Sequence, residues 1–217
     1  MKCRMSGVLV TLILGVLLAP LASDAQWKKV PMVTVSATAT DPRLPLATEA
    51  IEFWNRQLAE IGTPFRLGAV TQTTEPVSAS YLERLSAAVL NREPRPDLPA
   101  SLEQMPGDII IAMSDGNFIS FATRFQAGAQ LKAVVGIRNH TSYPLNLPNV
   151  ARNVIAHELG HAIGLGHNDD RTTLMCGRPA PCRPDAFQSE VAKFFPLTED
   201  EKATVLTRYP RTWNPLP

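Results

Sequence analysis

The stretch HELGHAIGLGH, running from His157 to His167, decides how this chain is read. It closes a longer segment, LPNVARNVIAHELGHAIG, in which Val150, Val154, His157 and His161 recur at spacings of four, three and four. That rhythm predicts a helix with those four residues on one face. Pro148 is expected just outside it, Asn149 as its N-cap, and Gly164 as its end. Two imidazoles four residues apart on a helix can share one zinc ion, each about 2.0–2.1 Å away. Glu158, beside the first histidine, can then reach a metal-bound water without being a ligand. This is the H-E-x-x-H arrangement, in which the glutamate serves as general base of a zinc peptidase. If the helix ran on past Ile163, His167 would lie about 9 Å along the axis from His161, too far to join the same ion. Glycine at 164 permits a positive φ, so the chain can turn back and bring His167 in from another side. His157, His161 and His167 then leave a fourth position open, the mark of a catalytic zinc. H-E-x-x-H alone recurs by chance. The extended string fixes five positions and holds three of the four histidines, which makes zinc the reading. His140, in RNHTSYP, reads as a surface residue.

Upstream, strands and helices interleave. WKKVPMVTVSATA reads as a strand, with Val30, Met32, Val33 and Val35 as its apolar or β-branched positions. LPLATEAIEFWNRQLAEIG predicts a helix from about Leu46 to Ile61, with Ala50, Ile51, Trp54, Leu58 and Ile61 on its apolar face and Gly62 after it. FRLGAVTQT, GDIIIAMSDG and LKAVVGIRN read as further strands, the second of the buried type. Residues 76–106 hold a weak amphipathic helix and the proline-rich REPRPDLP, and look like an insertion between strands. Near the C-terminus, LTEDEKATVLTRYP opens with a capping box, Thr198 and Glu201, and closes at Pro210. The alternation argues a mixed α and β fold.

The chain has 217 residues with 21 Lys and Arg against 20 Asp and Glu, a net charge of +1. That balance carries no basic footprint for nucleic acid, and the length predicts one domain. The N-terminus has the layout of a secretory signal peptide. Lys2 and Arg4 are followed by the apolar run GVLVTLILGVLLA, and Ser23 and Ala25 supply small residues before a cut after Ala25. The run is shorter than a spanning helix needs. The expectation is a removed leader at 1–25 and one exported domain at 26–217, secreted or periplasmic, monomeric and free of the membrane. Cys3 leaves with the leader. The two cysteines that remain, in LMCGRPAPCRP, could be zinc ligands, a thiol latch or a structural staple. An even count in an oxidising compartment favours a disulfide between Cys176 and Cys182.

These motifs together resemble the metzincin family of zinc endopeptidases. Met175, eight residues after His167, falls where the matrixin branch carries the methionine of its turn. Leu197, Thr198, Asp200, Glu201 and Tyr209 follow that branch's C-terminal helix pattern. The resemblance runs from about Val150 to Tyr209. It implies an α+β fold: a twisted, mainly parallel sheet with an antiparallel edge strand, an active-site helix, a Met-turn and a C-terminal helix. An upper subdomain would span about 26–166 and a lower one about 167–217. It also implies that Met175 lies under the zinc as an apolar floor without binding it. By the same analogy AVVGIRN is the edge that pairs with an extended peptide, an ordinary inner strand being nearly as good a reading. Phe187, Phe194 and Phe195 either line the pocket after the scissile bond or fill core. Asn168 departs from the branch's usual serine, and Glu201 from its aspartate. With only His140 to spare, a second, structural zinc is not expected. For structural calcium, SDGN at 114–117 and Asp169 with Asp170 offer oxygens, and the ion stays undetermined. Since the histidines complete a catalytic set, and Cys176 and Cys182 follow the Met-turn instead of preceding the domain as a latch would, the disulfide reading of Cys176 and Cys182 strengthens. The implied function is hydrolysis of a protein or peptide substrate by zinc-activated water with Glu158 as base. The alternative is a zinc-containing module that binds protein without cutting it. A bacterial source is expected from the short leader and the lack of added domains.

Overall fold

The computed structural model describes residues 26–127, 130–177, 182 and 184–216. The expected leader lies outside them. Five strands form one sheet in the order β2-β1-β3-β5-β4. β1 (Val33–Ser36), β2 (Val70–Thr73), β3 (Ile109–Met113) and β5 (Gln130–Ile137) are parallel, and β4 (Phe121–Ala127) runs antiparallel to β5 along one edge. The fold is therefore the mixed, mainly parallel sheet with an antiparallel edge strand that the resemblance implied. Among the described residues no helix is long and apolar enough to cross a membrane.

The alternation of side chains along the sheet builds two cores. Val33, Val35, Ile109, Ile111, Ala133, Val135 and Ile137 meet α1 (Leu44–Ile61) and α4 (Pro148–Ile163). α1 begins with Pro45 in its first turn and ends at Gly62, whose φ of 87° is the left-handed conformation glycine allows. It lies along α4, and the buried Trp54 donates from its indole Nε1 to the Ala156 carbonyl at 2.8 Å. The other face carries Ile110, Ala112 and Val134. These pack against Tyr81, Leu82 and Leu85 of α2 (Ala79–Asn91) and Leu102 of α3 (Ala100–Gln104). Residues 76–106 lie between β2 and β3, as expected, and are built into the core. They are the second layer that keeps the far side of a parallel sheet out of water. The buried Lys132 Nζ secures α3 by donating to the carbonyls of Leu102, Glu103 and Met105.

Three expectations are corrected. Val30 and Met32 are partly exposed and precede β1. The N-cap of α4 is Leu147, with Pro148 already in the first turn, so Asn149 sits inside the helix. AVVGIRN belongs to β5, an inner strand between β3 and β4, so β4 takes the edge.

Arg43, just before α1, braces the carboxyl ends of the strands. Its guanidinium pairs with Asp41 at 2.5 Å and donates to the Arg138 carbonyl at 2.6 Å and, more weakly, to that of Ser114 at 3.3 Å. Burial pushes the Asp41 carboxyl up, but the hydrogen bonds and charge of Arg43 more than reverse this and hold it below the ordinary carboxylate range. Asp41→Ala strands a buried cation and is expected to cost about 3–5 kcal/mol in urea unfolding. Because the folded carboxyl is the stronger acid, its contribution is present above the unfolded value of 3.8 and fades as pH falls through the depressed folded value. A midpoint unchanged in Asp41→Ala would refute the brace.

Candidate metal centre and cleft

Helix α4 places His157 and His161 one turn apart, both pointing into a cleft of about 910 Å³. Gly164, at φ 116°, ends the helix, and the chain turns back to deliver His167. The three Nε2 atoms form a tight triangle: 3.1 Å between His157 and His161, 3.2 Å between His157 and His167, and 2.9 Å between His161 and His167. The ring Nδ1 of His157 lies 2.7 Å from the Leu174 carbonyl, and that of His161 lies 2.8 Å from the Leu165 carbonyl. A carbonyl can only accept, so in both rings the proton is on Nδ1 and the Nε2 lone pair is bare. Bare lone pairs crowded together repel unless a cation sits among them. Two nitrogens bound tetrahedrally to one zinc at 2.0–2.1 Å are separated by roughly 3.3 Å, close to this triangle. The site fits one zinc ion, and the two carbonyls are the outer partners that orient such ligands.

Burial lowers His157 to about 3, helped by the neighbouring His161 and opposed by its bond to Leu174. Burial likewise lowers His161 to about 4, against the bond to Leu165. Both rings are neutral at pH 7, the form that binds metal. Burial pushes Glu158 up to about 8. Glu158 also lines the cleft and is not one of the three clustered residues. Among the described residues this triad is the sole group of three His, Cys, Asp or Glu with ligand atoms close enough to share an ion. His140 stands apart, half-buried. Asp170 accepts from the Thr172 amide and hydroxyl, a turn of its own.

The turn at Met175 is packed with little slack. Met175 is fully buried, and a Cβ added to Gly160, on α4 between the two histidines, would lie 2.5 Å from its sulfur. A Cβ on Gly177 would lie 2.2 Å from the His167 ring. Both glycines are requirements that the sequence did not announce, since each partner lies many residues away. Asn168 donates to Thr173 Oγ1 at 2.8 Å and to Glu201 Oε1 at 2.6 Å. Glu201 in turn completes the capping box of α5 (Glu199–Arg208) with Thr198. The two positions that depart from the matrixin pattern therefore meet each other. They tie the residue after His167 to the C-terminal helix. At the far end of α5, Tyr209 donates its hydroxyl to the Ile163 carbonyl at 2.8 Å, fixing the end of α4.

Beyond the turn, Cys176 and Cys182 are joined by a disulfide with Cα atoms 5.8 Å apart, and both line the cleft. The following segment is held by two asparagines inside α4. Asn149 donates to the Phe187 carbonyl and accepts from the Lys193 amide, each at 2.9 Å. Asn153 donates to the Lys193 carbonyl and accepts from the Phe195 amide, again at 2.9 Å each. Buried amide side chains thus give this irregular backbone the partners a strand would give it. Phe187 lines the cleft, as do Leu145 and Val154, and its ring lies 6.4 Å from that of His157. Phe194 stacks on Phe53 at 4.4 Å, in the core, and Phe195 packs edge-on to Phe187. The opposite wall of the cleft is β4, which the sequence reading passed over.

No protein-family model and no curated protein matches the sequence. Among solved structures, the crystal structure of archaemetzincin from Methanopyrus kandleri aligns with it at 18% identity and a TM-score of 0.42, over 88% of this chain and 98% of that one.

Proposed function

We propose that this chain is a zinc-dependent endopeptidase. The observation that carries the proposal is the Nε2 triangle of His157, His161 and His167, with buried Glu158 lining the same cleft, which is walled by a sheet edge. A zinc held there supplies Lewis acidity to a water and to the scissile carbonyl. Glu158 accepts the proton of the attacking water and passes it to the amine that leaves. Burial suits it to this task, because a carboxyl whose basicity has been raised holds a proton long enough to deliver it. Met175 takes no part in the chemistry. It supports the helix backbone from which His157 and His161 project. The apolar pocket at Leu145, Val154 and Phe187 receives a side chain next to the bond that is cut, and the Cys176–Cys182 bridge stiffens its neighbouring wall.

The disulfide and the leader-like N-terminus support export to a secreted or periplasmic setting, with protein or peptide as substrate. The motif pattern supports the matrixin branch of the metzincins.

A peptide library incubated with the zinc-loaded protein tests the reading. Internal peptide bonds are expected to be cut, chelation to stop cleavage, and added zinc to restore it. Cleavage that survives removal of all metal would overturn the zinc assignment. Peptides bound in the presence of zinc but never cut would leave a binding module in its place.

A further inference from the structure

The backbone of β4 faces two ways, and the neighbouring hydrogen bonds say which residues face out. Ala133 donates its amide to Asp108 at 2.8 Å, and the Ile137 carbonyl accepts from Ser114 at 3.0 Å. The odd-numbered residues of β5 therefore turn their backbone toward β3. Val135 and Ala133 stand opposite Ala122 and Arg124. In an antiparallel pair whose one member faces away, the other faces away too. Ala122 and Arg124 thus present their N–H and C=O groups outward, along the cleft. These are the groups an added peptide strand would use.

One of them is covered. Arg95 donates from a guanidinium nitrogen to the Arg124 carbonyl at 2.6 Å and to Thr123 Oγ1 at 2.7 Å, and lies over the Phe125 ring at 5.3 Å. A guanidinium in that place stands where a paired strand, about 4.7–4.9 Å from β4, would run its backbone. The approach is built into the sequence. Pro94 and Pro96 bracket Arg95, and proline at the next position holds a residue in extended backbone. Pro96 and Leu98 continue beside Phe125 and Gln126, so the segment after α2 flanks the whole C-terminal half of β4.

We propose that Arg95 is a specificity-determining residue that ends peptide pairing along β4 at Arg124. Antiparallel pairing is the more stable kind, and it points the N-terminal end of a peptide toward Gln126. The cleft accordingly takes few residues on the N-terminal side of the bond that is cut and more on the other side. This rests on the peptidase reading.

The test uses quenched fluorescent peptides that share one cleaved core and are lengthened residue by residue at either end. In the zinc-loaded wild type, N-terminal extension is expected to stop raising kcat/KM early, while C-terminal extension goes on raising it. Arg95→Ala opens the edge. Long N-terminal extensions should then gain about tenfold, chiefly through KM, as two restored backbone hydrogen bonds would give. That gain should exceed any change on the short peptides. Arg95→Lys, with a single donor atom and no planar fork, should fall between, and it carries the test if the alanine variant does not fold. Equal changes at every length, or a wild type that profits from N-terminal extension without limit, would overturn the proposal. If no peptide is cut, the peptidase reading fails by itself, and the same series is read as binding by fluorescence anisotropy. A length limit removed by the Arg95 variants would then uphold the inference, and its absence would overturn it.

Discussion

Glu158→Gln is expected to keep its zinc and to lose about 10²–10⁴-fold in kcat/KM, the usual contribution of a positioned general base. Zinc should stay because the triangle is made by histidine nitrogens alone. The carbonyls of Leu174 and Leu165 fix two of the rings. Activity should fall because glutamine has the same shape but no basic oxygen at pH 7. The size of the loss follows from the environment. Burial alone pushes the carboxyl up to about 8, whereas a bound divalent cation pulls it down again. The balance leaves a group that can both take and return a proton near neutral pH. Zinc content by atomic absorption and cleavage of one peptide, measured on the same preparation, check both halves. Full activity with zinc present would remove Glu158 from the chemistry. Loss of zinc would make it part of the ligand shell instead.

The metal centre was legible because its geometry is local. Spacings of four and six residues, with a glycine able to turn the chain between them, suffice to bring His157, His161 and His167 together. The capping box at Thr198 and Glu201 was legible for the same reason. What escaped the sequence depends on partners far along the chain. β4 alternates Phe121, Thr123 and Phe125 with Ala122, Arg124 and Gln126. Its polar positions are tolerated because one side of an edge strand is not buried in the sheet, a fact only the strand order supplies. β5 reads as a buried apolar run whether it is inner or edge, so its pattern could not decide which strand faces the cleft. Residues 76–106 looked like an insertion because the proline-rich REPRPDLP follows α2 and hides its place in the core. Its value lies in covering Ile110, Ala112 and Val134, which the sequence shows only as part of an apolar run. Asn149 has the chemistry of a cap. Pro148 fits the first turn so well that the helix starts before it, and the amide is used on Phe187 and Lys193 instead.

Gly160→Ala should destabilise the protein and weaken its hold on zinc, against the rule for exposed helices. In a solvent-facing helix this change is favourable by about 0.5–1 kcal/mol, because glycine loses more conformational freedom on folding. Here the new Cβ would lie 2.5 Å from Met175 Sδ, 2.9 Å from its Cε and 3.0 Å from Trp54 Cζ2. Met175 is flexible, but it is fully buried. Trp54 is fully buried too and is tied to the Ala156 carbonyl through its indole. Overpacking of this kind costs about 1–3 kcal/mol, which outweighs the gain in helix propensity. In a domain of this size each kcal/mol lowers Tm by about 2–4 °C. The metal responds because Met175 cannot move without Leu174, whose carbonyl orients His157. Disturbing such an outer partner weakens metal binding by about 10–100-fold. Calorimetry of the metal-free protein and competition for zinc with a chelator read the two effects separately. Met175→Ala should cost less in the Gly160→Ala background than in the wild type, because the pair then no longer collides. That sign of coupling is the mark of direct contact. A Gly160→Ala protein that melts higher than wild type and binds zinc as tightly would show that the turn does not press on the helix, and the role given to Met175 would fall with it.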